Sequence, residues 1–136
     1  MAPVLQSLIV GFPVFIAHFA LTAALLVAGI ALYVTITPHR ELRLVREGNT
    51  AAAISLGGVV IGLALPLGVS MASSVTVFDV LVWGVVALVL QLVTFFVIDY
   101  LLRDLPRRIE EGQMASALFL AAAKLAVAII SASALT

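Results

Sequence analysis

The sequence predicts an all-α integral membrane protein: four transmembrane helices, built as two parallel two-helix repeats, N-out/C-out. Three observations carry this. Hydrophobic residues make up 64% of the 136-residue chain and charged residues only 10%, against roughly 45–50% and 25% in a soluble domain. A water-soluble particle this small could not hide so much apolar surface. The charges cluster, leaving residues 1–38, 48–78 and 80–98 without Asp, Glu, Lys or Arg. Finally, a shift of 64 residues superposes the two halves of the chain. One membrane domain over 1–136 is expected, with repeat one at about 10–71 and repeat two at about 77–135.

A helix needs about 20 mostly apolar residues to cross about 30 Å of hydrocarbon. The first predicted span, about 10–36, has no basic n-region and is longer than the roughly 7–15 apolar residues of a signal peptide. It is therefore expected to stay attached. Ala20, Ala24 and Ala28 give it a small-residue face. Arg40, Arg43 and Arg46 follow, in a basic amphipathic stretch. Gly48 is expected to turn the chain there and Asn49 to cap the returning helix.

The second span, about 50–71, holds the GxxxG pair Gly58 and Gly62, a spacing that lets helix backbones approach closely in lipid. Pro66 lacks an N–H and is expected to kink this helix. The third span, about 77–101, opens on Thr76-x-x-Asp79, a capping box with a shortened acid. Asp99 is placed one turn before Arg103 for a surface ion pair. A second basic loop holds Arg103, Arg107 and Arg108, and the fourth span covers about 113–135. The positive-inside rule places both loops in the cytoplasm and both termini outside. Tyr33 and Tyr100 then fall near the inner boundary, Phe78 and Trp83 near the outer one.

The repeat sets Glu47-Gly48-Asn49 on Glu111-Gly112-Gln113, and Gly58 and Gly62 on Ala122 and Ala126. Each repeat has two helices, so both insert the same way up and are related by an axis along the membrane normal. Gly58, Gly62, Ala122 and Ala126 are read as helix-packing positions.

The run Glu41-Leu42…Val45-Arg46-Glu47-Gly48-Asn49-Thr50-Ala51-Ala52-Ala53-Ile54, followed by Leu56-Gly57-Gly58, resembles the YjfL-type family of bacterial membrane proteins of unknown function. Members look like tandem two-helix units, so the resemblance covers nearly the whole chain. The second half departs from the motif, with Gln113 for the asparagine, alanines for the glycine pair and an added Lys124. The resemblance implies an inner-membrane location and no established activity.

Few residues could carry an activity. Lys124 lies mid-span, where an ionisable group costs roughly 2.5–3.5 kcal/mol on insertion scales; it is expected to line a path or to pair with another polar group. Gln91 is at similar depth and could bond to it. His18, in the outer half of the first span, could relay protons. There is no nucleophile elbow, phosphate-cradling loop or metal-ligand spacing, so no enzyme, cofactor or metal is expected. Charge balance and location argue against a nucleic-acid partner.

The expected function is that of a non-enzymatic, homo-oligomeric membrane component. Its loop residues Arg40, Arg43, Arg46, Glu47, Gly48, Asn49, Arg107, Arg108, Glu111, Gly112 and Gln113 would engage a cytoplasmic protein or anionic lipid of the bilayer. The alternative is a small homo-oligomeric ion channel or transporter with Lys124, Gln91 and His18 lining the path.

Overall fold

A computed structural model describes residues 2–37, 41–102 and 104–135. These form α1 (Ala2–Ile36), α2 (Glu41–Arg46), α3 (Thr50–Ser73), α4 (Val77–Leu101), α5 (Asp104–Glu110) and α6 (Met114–Ala134). Four of them, α1, α3, α4 and α6, are long and apolar enough to cross a membrane. Only a helix satisfies its own backbone without water, so the four apolar stretches fold as the sequence predicts. The first begins eight residues earlier than expected, at Ala2, because nothing in Ala2–Ile9 breaks the apolar helical run. The basic stretches are two short helices, α2 and α5.

Packing places α3 and α4 between α1 and α6, with α3 and α6 sharing the most extensive contact. The main core joins Tyr33 of α1, Leu56, Val59, Leu63 and Leu67 of α3, and Leu88, Leu92 and Phe95 of α4. A second cluster lies at the loop end, where Ala51 and Ala52 meet Ile109, Ala117 and Leu120. Small residues set the closest crossings. A Cβ on Gly58 would lie 2.7 Å from Ala121 Cβ, and one on Gly62 would lie 2.7 Å from the Phe95 ring.

Ala122 and Ala126, expected to pack as the counterparts of that glycine pair, instead face outward. The buried stripe of α6 runs through Ala117, Ala121, Lys124 and Ala128. Residues spaced four and three apart share one helix face, and Ala122 lies one residue off it, about 100° around the helix. Ala20, Ala24 and Ala28 are exposed for a similar reason: α1 buries only Gly29 and Tyr33. Pro66 is buried inside α3, which runs on to Ser73.

Both loops turn the same way. In each, a glycine takes a left-handed backbone, Gly48 at φ 89 and Gly112 at φ 83. The Gly48 and Asn49 amides donate to the carbonyls of Val45 and Leu44, and those of Gly112 and Gln113 to Ile109 and Arg108. This is the Schellman pattern, repeated at equivalent positions. The caps that follow differ. The Asn49 side chain accepts from the Ala52 amide, whereas Gln113 makes no side-chain cap bond, its amide carried one methylene farther from the backbone. Thr76 caps α4 by accepting from the Asp79 amide, as the sequence predicts.

Candidate functional site

Lys124 is fully buried, and its charge is met inside the bundle. Its Nζ lies 2.8 Å from Asp99 Oδ1 of α4 and donates to the Tyr33 hydroxyl of α1 at 2.5 Å. That hydroxyl donates in turn to Asp99 Oδ2 at 2.7 Å. The three groups thus close a ring linking α1, α4 and α6. Aromatic faces line it: the ammonium sits 4.8 Å from the Tyr33 ring centre and 5.7 Å from that of Phe95, and Phe96 stacks on Tyr33 at 5.6 Å. Cation–π attraction strengthens where water is excluded.

The sequence alone does not group these side chains. Tyr33, expected near the inner boundary, is completely enclosed within the bundle. Asp99 pairs with Lys124, while its expected partner Arg103 lies outside the described residues. Side chains on a helix lean toward its N-terminus, which carries the Lys124 amine down α6 toward the loop end, where Asp99 waits near the end of α4.

Glu41 completes the cluster. It is the one fully buried residue of α2, at 2% exposure. Burial pushes its carboxyl up to about 7; Lys124 partly offsets the rise and Asp99 reinforces it. A carboxyl whose pKa is higher folded than unfolded stabilises the fold fully below its unfolded value and loses that contribution as pH climbs to the folded value. The bundle should therefore lose stability between about pH 4.5 and about 7, then level off. Glu41→Gln should flatten that part of the profile, and thermal unfolding in detergent across the range checks both.

Gln91 is also buried but does not reach Lys124. Its amide donates to the Gly62 carbonyl at 3.3 Å and its oxygen accepts from the Ser131 hydroxyl at 3.1 Å. It lies two turns along α4 from Asp99, with Phe95 between the two layers. His18 joins neither group. It is half-buried on α1, its Nε2 bonding no protein atom, and 15 residues of helix, about 22 Å, separate it from Tyr33.

The loop residues form a second feature at the same end as Glu41. Beyond capping α3, Asn49 uses its Nδ2 to donate to the carbonyls of Ile109 at 3.0 Å and Glu110 at 3.3 Å. One side chain therefore fastens the first loop to the second. Between them lies an open groove of about 640 Å³, lined by Glu47, Gly48, Asn49, Glu110, Glu111 and Gly112 among others. Arg43 pairs with Glu47 at 3.0 Å, and Arg108 lies 3.9 Å from Asp104. Arg46 and Arg107 are exposed. Arg40 lies outside the described residues. Among those residues, no group of three His, Cys, Asp or Glu side chains is placed to hold a metal ion.

Comparison with known proteins covers almost the whole chain. The profile of a family described as Domain of Unknown Function (DUF350) matches residues 7–135. The chain is 32% identical over 122 residues to UPF0719 inner membrane protein YjfL of Escherichia coli (strain K12), spanning 90% of this chain and 92% of that protein. It is 24% identical over 85 residues to UPF0719 transmembrane protein YshE of Bacillus subtilis (strain 168), spanning 62% and 63%. No solved structure matches it.

Proposed function

The chain belongs to the DUF350 family, and on that premise we propose that it is a non-enzymatic, oligomeric component of the bacterial inner membrane that docks a partner protein on its charged-loop face. The relatives named as inner membrane proteins support the location, as do the four apolar spans. The positive-inside rule favours a cytoplasmic position for both loops.

One observation carries the docking reading. Asn49 caps α3 and holds the carbonyls of Ile109 and Glu110, so two loops distant in sequence act as one preorganised surface. A mixed-charge surface of this kind suits a protein better than a lipid. Anionic headgroups gain about 1 kcal/mol per basic residue near the membrane surface, but Glu47, Glu110 and Glu111 line the groove and oppose them. A partner presenting basic residues to those acids, with its own acids against Arg46 and Arg107, fits the pattern. The matching Schellman turns at Gly48 and Gly112 support duplication of one helical hairpin.

Self-association would use faces the fold leaves uncovered. Ala122 and Ala126 offer a small-residue face on α6, and Phe12, Phe15 and Phe19 form a stacked ridge on α1. At 35 residues, α1 is about 52 Å long and outruns a hydrocarbon core of about 30 Å, a mismatch that favours tilting or association. The competing reading, a channel or transporter lined by Lys124, Gln91 and His18, has less support. Two of these side chains are engaged inside the bundle and the third stands apart.

Arg43→Ala combined with Arg46→Ala tests the docking reading. Exposed ion pairs contribute about 0.2–1 kcal/mol, so the bundle should stay folded. Recovery of a partner photocrosslinked from a probe at Met114 in the groove should nonetheless fall severalfold. Unchanged recovery would count against this face as the docking surface.

A further inference from the structure

We propose that a pocket at the end of the bundle opposite the charged loops binds a small organic ammonium group, carried by a lipid headgroup or by a free amine. The site is remote from the docking face and does not rest on that reading.

The pocket holds about 210 Å³ and is lined by Ser70, Ser73, Ser74, Trp83, Ala134 and Leu135. Sites for drug-sized ligands run to roughly 300–1,000 Å³, so this one suits a single small group. Ser70 calls for that group to be polar. It is 3% exposed, and its hydroxyl bonds no protein atom. A buried hydroxyl left unpaired is costly, and Ser70 is part of the pocket wall.

The rest of the wall selects the charge. Helix α3 ends at Ser73 and α6 at Ala134, so two helix C-termini meet at the pocket. Each carries roughly half a negative charge on carbonyls without intrahelical partners. Neither helix has a basic residue in its last turn, and among the described residues none that lines the pocket is charged. The Ser74 hydroxyl donates its proton to the Ser70 carbonyl at 2.6 Å, which leaves it lone pairs to offer an occupant. Trp83 adds the aromatic ring that attracts cations best. Helix α4 brings a positive N-terminus to this end, but the Thr76 cap and Asp79 in its first turn offset it. An anion here would face two negative helix ends. A primary ammonium instead brings three N–H donors to Ser70 Oγ, Ser74 Oγ and a last-turn carbonyl. Tryptophan is enriched where spans meet headgroups, which puts a lipid amine within reach as well as a dissolved one.

Trp83 is the one tryptophan of the chain, so its fluorescence reports on the pocket alone. In one arm, protein in an uncharged maltoside detergent is titrated with ethanolammonium chloride, with sodium chloride holding ionic strength constant. A saturable change is expected, and none with ethylene glycol, which is similar in size but uncharged. In the other arm, phosphatidylethanolamine replaces phosphatidylglycerol stepwise in vesicles holding the protein. A response in the first arm assigns a free amine, and a response in the second alone assigns a lipid headgroup; either supports the site. Ser70→Ala should weaken binding about tenfold, the effect of one hydrogen bond to a charged group. Ala134→Lys, at an exposed position, tethers an ammonium at the pocket and should abolish the response in both arms. No saturable response in either arm, an equal response to ethylene glycol, an affinity unmoved by Ser70→Ala or a response that persists in Ala134→Lys would each overturn the proposal. If Ser70→Ala fails to fold, Ala134→Lys decides alone.

Discussion

Replacing Lys124 with methionine should destabilise the bundle by roughly 3–5 kcal/mol, the range found when one partner of a buried ion pair is removed. Methionine fills a similar volume, so the loss is electrostatic rather than a cavity. Asp99, with its side chain only 11% exposed, would keep a charge with no ammonium near it, and the Tyr33 hydroxyl would lose its donor. The double variant Lys124→Met with Asp99→Asn removes both charges together. It should be markedly more stable than the sum of the single losses predicts, with a coupling of about 0.5–3 kcal/mol or more. Detergent unfolding of the four proteins in this cycle measures it. Strictly additive losses would show that the contact at 2.8 Å carries no interaction energy and that Lys124 is held by something else.

The architecture was legible because lipid leaves few options: four apolar stretches of sufficient length must be helices, and glycines flanked by charge must be turns. Lys124 stood out for a related reason, since a lone lysine in an apolar span needs a partner. Its partners were harder to read. Asp99 lies near the end of α4 and looked like a surface residue with Arg103 one turn on; only the lean of the Lys124 side chain along α6 brings the two together. Tyr33 looked like any boundary aromatic, and Glu41 like one more charge in a polar loop. Two signals could have found them. Tyr33 lies one turn from Gly29 on the single face that α1 buries, and Asp99 continues the Gln91–Phe95 face of α4. Helix rotation was the other thing the sequence concealed. The repeat register equates Gly58 with Ala122, yet α6 turns Ala121 toward Gly58, because the stripe containing Lys124 must face inward to reach its partners.

That same crossing yields the second large effect. Gly58→Ala should destabilise the bundle by roughly 1–3 kcal/mol, the usual cost of overpacking, although alanine is the better helix former by about 1 kcal/mol in water. The added methyl would lie 2.8 Å from Ala121 Cα, and backbone cannot rotate aside as the tip of a side chain can. The helices α3 and α6 would have to separate. Gly57→Ala is the matched control, one residue away with nothing within 4 Å of the new Cβ; it should be neutral or slightly stabilising. Equal stability of the two variants, measured by thermal unfolding in the same detergent, would mean that the α3–α6 crossing is looser than described. Separation of these helices also shifts α6 relative to α1 and α4, and so draws Lys124 away from Tyr33 and Asp99. Gly58→Ala should therefore cost less in a Lys124→Met, Asp99→Asn background than in the wild-type chain, since there the ring of polar contacts is already gone. Close packing between two helices and charge pairing among three would then be parts of one cooperative unit.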